Sequence, residues 1–590
     1  MILAAFFFVI FSCARQAAPT GGLRDVTPPR IVRSVPAMGS LNFKGKKIVI
    51  TFDEFIVPEK LTEKFMISPP LKKKPDINLK GKSLNIEFRE ELKDSTTYTL
   101  YFQDAIKDLN EGNAIPNFQF VFSTGNVLDS LSVTGNILNS SDLEVPENTI
   151  ILMHRQLADS APVKLLPEYI TLADVNGGFR INNVKAGTYR LYALQDKNND
   201  KKYNVADESF AFMDNPALIT PVKNYLPIVI KKDTSRIKSP LKKITEVPLI
   251  DGEYKMFLFT EPKKKHYLSS SGRKKAYLLT YTLTPPPDSG KFEFNIPDAP
   301  PRSYFIEKNI GGDTINVWLT DSLLYSSQQI KTIVGYPYTD STGVTKIKTD
   351  SIPMRFTTIK VPKQKEIRKK FIYTTNIPGN TLGPGQPVIF SSETPFRKPD
   401  TTKIHLYESE KTARKVIPYH IFRDSLNSRR YTLKAKFKEG FVYRLIAEAG
   451  SFGNIYGDVA DSTGIRFSIR TPDDYGGLSL NIINVTGNII IQLLDSREKI
   501  LSEKQIKKDG KLDFMLLEKG TYRLRAIYDL NNDGKWTTGD YRLKRQPEPV
   551  SYFPREIEIK NVNWIIEEGW DLSERNQKDQ ILRTKKEPGR

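Results

Sequence analysis

Apolar residues fall at alternate positions in many short runs of this chain. Lys47-Ile48-Val49-Ile50-Thr51-Phe52 is the first, and 84–88, 98–102 and 118–122 repeat the period. The same alternation returns at 388–390, 431–437, 442–447 and 465–469. A period of two with one apolar face predicts half-buried antiparallel strands. Between these groups, 276–283, 314–320 and 329–334 keep the alternation, interrupted by Pro285-Pro286-Pro287 and Pro300-Pro301. The expected fold is all-β, a series of sandwiches with no long helix after the first dozen residues.

One stretch occurs twice. Gly187-Thr188-Tyr189-Arg190-Leu191 opens a passage that runs to Asp207, and Gly520-Thr521-Tyr522-Arg523-Leu524 opens another that runs to Asp540. Extended back to Asn176 and Asp509, the passages align over 32 positions without a gap, with 13 identities. Register held over that length predicts a duplicated domain.

Two resemblances follow. Pro28-Pro29, the run Ile48 through Phe55, Ser68-Pro69-Pro70 and Phe122-Ser123-Thr124-Gly125 resemble the bacterial Ig-like domain of surface-layer proteins and of Bacteroidota envelope lipoproteins. That resemblance implies a spacer or adhesion module rather than a catalyst. Asn176-Gly177-Gly178-Phe179, Val184 and Gly187-Thr188-Tyr189 resemble prealbumin-like modules of the carboxypeptidase-regulatory type, with Leu512 standing for Phe179 in the second copy. The expected order is signal peptide 1–12, tether 13–24, Ig-like domain 25–127 and prealbumin-like sandwich 128–235. A divergent Ig-type sandwich 236–372, a second Ig-like domain 373–472, a second prealbumin-like sandwich 473–572 and a frayed charged tail 573–590 follow.

Composition supports folded β domains: 39% hydrophobic and 11% aromatic residues. The 590 residues exceed what one core can serve. The formal net charge is +20, which suits an anionic lipid or glycan surface, or solvated basic loops. Nucleic acid is not an expected partner, because the aromatics sit in strand-like runs away from the basic clusters. Cys13 is the single cysteine and closes the apolar run 2–11 as Ile10-Phe11-Ser12-Cys13. The run is too short to span a bilayer and fits a signal h-region. Its end resembles a lipobox, although no Lys or Arg precedes it; that resemblance implies lipid on Cys13 and an outer-membrane lipoprotein.

The duplicated passages carry the candidate chemistry. Asp196, Asn198, Asp200 and Asp207 stand at positions 1, 3, 5 and 12 of the first loop, and Asp529, Asn531, Asp533 and Asp540 hold the same places in the second. Calcium loops use oxygen ligands at this spacing, with glycine at position 6. Gly534 fills that position in the second loop and Lys201 in the first, where Glu208 could replace Asp207 as ligand. The alternative is turn chemistry, since Asp, Asn and Gly are ordinary turn residues. Either way the loops are structural, and calcium is the one cofactor expected.

His154, His266, His405 and His420 form no ligand pair, and no nucleophile elbow or phosphate loop is present. Trp536, Trp564 and Trp570 are read as core and interdomain packing in preference to a sugar platform. The composite reading is a non-catalytic, lipid-anchored envelope scaffold for spacing, adhesion or assembly. The alternative is an accessory subunit of an outer-membrane transport or secretion system that binds a glycan or peptide.

Overall fold

A computed structural model describes residues 25–205, 207–221, 254–262, 265–287, 291–340, 344–356, 370–409 and 414–578. The expected signal segment, the tether and Cys13 lie outside these residues. The chain divides into two compact units: Met1–Thr260 with Tyr541–Lys544, and Glu261–Asp540 with Arg545–Arg590. The described residues are overwhelmingly strand. The α-helices among them are Leu61–Lys64, Ala161–Lys164 and Ser322–Ser326, the longest of five residues.

Three modules share one topology. In the first, Ile31–Val35, Lys47–Phe52, Ser83–Glu87 and Asp76–Lys80 form one sheet in that order, and Met66–Ser68, Thr97–Gln103 and Phe118–Ser123 form another. Counting those seven strands along the chain, the sheets read 1-2-5-4 and 3-6-7, the Ig constant-type arrangement. The module within 373–469 repeats this order, adding Thr381–Leu382 and Arg414–Val416 at the edges of its second sheet. Tyr267–Lys275, Leu278–Thr284, Thr314–Leu319 and Tyr304–Lys308, with Glu293–Asn295, Gln329–Thr339 and Thr345–Arg355, give the same order a third time. Alternation decides which residues face inward. Ile48, Ile50 and Phe52 are buried, while Lys47, Val49 and Thr51 turn outward. Each such side chain contributes roughly 1.5–3 kcal/mol.

The two modules that carry the duplicated passages correspond strand for strand. In the first, Leu131–Asn139 pairs antiparallel with Gly178–Val184 and parallel with Tyr254–Thr260. In the second, Gly476–Ile483 pairs antiparallel with Gly510–Leu517 and parallel with Ile565–Asp571. The opposite sheets also agree: Gly187–Leu194 and Gly520–Asp529 are each central, with three equivalent neighbours. The last strand of the first copy, Tyr254–Thr260, lies past the expected boundary at 235. It also pairs with Ser209–Phe212, and its Met256 and Leu258 enter that module's core.

Aromatic hydroxyls tie the corners. Tyr98 and Tyr443 accept the N–H of Lys93 and Lys438, each at 2.8 Å. Tyr189 and Tyr522, from the two Gly-Thr-Tyr motifs, donate to the carbonyls of Lys185 and Glu518, also at 2.8 Å. The central module uses an arginine for a comparable purpose. Buried Arg273 donates to the carbonyls of Ala276, Ser327 and Tyr325 at 2.7–2.9 Å.

Neighbouring modules within each unit are joined by side chains. In the first unit Asn182 N–H donates to the Tyr101 hydroxyl and Ile170 N–H to Ser68 Oγ. In the second, buried Glu307 accepts Ser428 N–H at 2.8 Å and pairs with Arg429, and the Tyr277 and Tyr456 rings stack 4.3 Å apart. The tail departs from expectation, because 573–578 is not frayed: Tyr552 N–H donates to the Gln577 carbonyl at 2.7 Å and Lys578 is buried.

Candidate functional site

Each acidic loop follows the central strand of its module. In the second, Asp529 is buried at the end of Gly520–Asp529. Its Oδ1 accepts Asp533 N–H at 3.1 Å, and its Oδ2 accepts Gly534 N–H at 3.0 Å and Asn488 Nδ2 at 2.6 Å. Asn531 Oδ1 also accepts Asp533 N–H, and Asp533 accepts Lys535 N–H and the Thr537 hydroxyl. Partial desolvation acts to raise the Asp533 carboxyl, but these hydrogen bonds prevail and hold it below the usual range. The first loop has the same ladder. Asp196 accepts from Asp200 and Lys201, Asn198 from Asp200, and Asp200 from Lys202 and Asn204.

Position 6 behaves alike in both copies. Gly534 has φ 76° and Lys201 φ 61°, so both are left-handed. Glycine adopts that conformation freely, whereas lysine does so at a cost of roughly 1–2 kcal/mol. Position 12 does not behave alike. Asp540 is buried where its backbone exchanges two hydrogen bonds with Arg545, while Asp207 is exposed.

The carboxylate that closes each loop is a glutamate. Buried Glu548 accepts Leu530 N–H at 2.7 Å, Asn531 N–H at 3.2 Å and Thr537 N–H at 2.8 Å. Buried Glu208 accepts the N–H groups of Lys197, Asn204 and Val205 at 3.1–3.2 Å. Desolvation raises the Glu548 carboxyl, and the nearby Asp529 charge adds to it against the opposing hydrogen bonds. The two glutamates are counterparts despite their numbering. The separation between copies is 333 residues at Leu194/Ile527 and 340 at Phe210/Val550, the residues that pair across the following strand. Seven residues are therefore inserted in the second copy, and they displace Glu548 from the ungapped alignment.

Among the described residues no group of three or more His, Cys, Asp or Glu is placed to hold a metal ion. In both loops the position 1 and position 5 carboxylates direct both their oxygens to donors of their own module. The tryptophans differ from one another. Trp570 is buried and Trp536 Nε1 donates to the Glu548 carbonyl, but Trp564 is 62% exposed and packs no core.

Residues 25–124 match the family described as the bacterial Ig-like domain. No curated protein matches the chain. Among solved structures, the S-layer protein SbsC, residues 31–844, is 10% identical, with 87% of this chain and 67% of that one covered and a TM-score of 0.13. The Bacillus anthracis TIE protein is 12% identical over 52% of this chain and 57% of its own length, with a TM-score of 0.12. The human desmocollin-1 ectodomain is 9% identical, with 89% and 97% covered and a TM-score of 0.14. Scores this low carry no inference to this chain. What the match at 25–124 establishes is an Ig-like first module of bacterial type.

Proposed function

We propose that this chain is a non-catalytic scaffold of the bacterial cell envelope, lipid-anchored through Cys13, that serves spacing, adhesion or assembly. The observation that carries the reading is how the polar groups are used. Glu208, Glu548, Asp196, Asp529, Arg273 and the corner tyrosines all bind backbone of their own modules, which makes them architectural. The bacterial Ig-like match supports a place at the cell surface. Among the described residues no helix is long and apolar enough to cross a membrane, so the anchor in this reading is the lipid on Cys13. In cells fed radiolabelled palmitate, the wild-type chain is expected to take up label and the Cys13→Ala chain none, with the variant released to the soluble fraction. Membrane retention of the variant, without label, would refute the anchor.

We further propose that the second acidic loop binds calcium more tightly than the first. The D-x-N-x-D-G spacing and the relaxed position 6 at Gly534 support it. At ten times the dissociation constant, a bound ion stabilises its module by about 1.4 kcal/mol. The last module of the intact chain should then melt a few degrees higher in millimolar calcium than in chelator. Asp529→Ala with Asp533→Ala should remove that difference. Identical melting of the wild type under both conditions would show that these carboxylates serve the turn alone.

A further inference from the structure

The core of the last module closes at Leu572, and the residues beyond it are held differently. Trp570 and Leu572 belong to the buried cluster, whereas Ser573, Glu574, Arg575 and Gln577 are exposed. This segment nonetheless runs along the outer edge of Val550–Tyr552, whose other edge pairs with Gly520–Asp529. Tyr552 N–H donates to the Gln577 carbonyl at 2.7 Å, and Val550 N–H donates to Asn576 Oδ1 at 3.3 Å. Ser551 Oγ accepts Gln577 N–H and donates to the Glu574 carbonyl. Arg575 lies over the Tyr528 ring, 5.1 Å from its centroid. The Lys578 side chain is fully enclosed, with Nζ 4.3 Å from the Tyr552 ring centroid and 3.6 Å from Glu498 Oε1. Arg523 and the Tyr552 hydroxyl hold that glutamate in place.

The first of the two duplicated modules treats the same edge in another way. There Tyr254–Thr260 crosses to Ser209–Phe212 and brings Met256, Leu258 and Phe259 into buried clusters. The edge in the last module is covered instead by a polar segment whose one enclosed side chain is a lysine. A strand edge offering main-chain donors beside a pocket for one side chain is how β-sheets take up extended peptides.

We propose that the outer edge of Val550–Tyr552, with its Tyr552–Glu498 pocket, is an acceptor site for an extended, lysine-bearing peptide of a partner protein, and that 573–578 caps it in cis. The partner's chemistry follows from the seat: a backbone able to pair with the edge, a lysine for the ring and carboxylate, and an arginine three residues earlier for Tyr528. This goes beyond the scaffold reading, and its failure would leave that reading intact.

The test uses the chain ended after Leu572 and a fluorescent peptide with the sequence of residues 573–578. The shortened chain should bind the peptide, and the intact chain at least tenfold more weakly, because the tethered tail competes at high effective concentration. Glu498→Gln in the shortened chain, or alanine for lysine in the peptide, should each weaken binding about tenfold. In the intact chain, the Tyr552 amide should exchange hydrogen much faster than that of Leu524. A folded shortened chain that ignores the peptide would overturn the proposal, as would one that fails to fold, since the segment is then part of the module. Exchange of the Tyr552 amide only on global unfolding would overturn it too. So would concentration-dependent dimerisation of the intact chain through this edge, which gives the seat to a second copy's tail.

Discussion

Replacing Glu548 with alanine should cost the last module about 3 kcal/mol or more, the largest loss expected from one side chain of the acidic loops. Three main-chain N–H groups, of Leu530, Asn531 and Thr537, lose their acceptor together. A buried donor left unsatisfied costs about 1–3 kcal/mol, and partial hydration of the opened loop keeps the sum below three full penalties. For a module of this size the loss lowers its melting transition by roughly 10–20 °C. Glu548→Gln should fall between the two: its amide oxygen can still accept from Leu530 and Asn531, but its NH2 then faces the Thr537 N–H. Glu208→Ala should do the same to the first copy through Lys197, Asn204 and Val205. Calorimetry of the intact chain, with amide exchange at 530, 531 and 537, measures the effect. Unchanged protection at those amides in Glu548→Ala would show that the glutamate does not hold the loop.

Glu548 is not visible in any local window of the sequence. The ladder from Asp529 to Asp533 is local, so its spacing is visible in any window that contains it. Glu548 reaches the loop across a seven-residue insertion, and an ungapped alignment stops at Asp540, where the first copy has Asp207. Glu208 could be named because it directly follows Asp207. The strands themselves were legible for a general reason: Ile48, Ile50 and Phe52, or Leu478, Leu480 and Ile482, write their burial as alternation. Sheet membership is not written that way. Tyr254–Thr260 alternates like any strand, and nothing local assigns it to the module before rather than after it. In the central module Pro285-Pro286-Pro287 and Pro300-Pro301, which break the alternation, fall in connections and leave the seven-strand order intact. The order of 573–578 is not legible in the sequence, because polar residues at a strand edge carry no periodicity.

Acid should weaken the first of the two duplicated modules through His154. This residue ends the strand Ile150–His154, is 0% exposed, and has no hydrogen-bond partner at either ring nitrogen. Its ring meets the edge of Tyr192 at 5.7 Å, and it pairs across the sheet with Arg190, so no anion compensates a charge there. Burial lowers its pKa from 6.5 to about 4. The folded module therefore binds fewer protons than the unfolded chain between those values. Its stability is whole above about pH 6.5 and is lost as pH falls towards 4. The linkage amounts to about 2 kcal/mol at pH 5 and about 3 kcal/mol at pH 4. Carboxylates elsewhere also titrate in that range, so the comparison that isolates His154 is with His154→Leu. That variant should match or exceed the wild type at pH 7, and its advantage in the first unit's unfolding transition should grow by about 2 kcal/mol on going to pH 5. Parallel pH profiles for the two proteins would mean that His154 can take up its proton without leaving the fold.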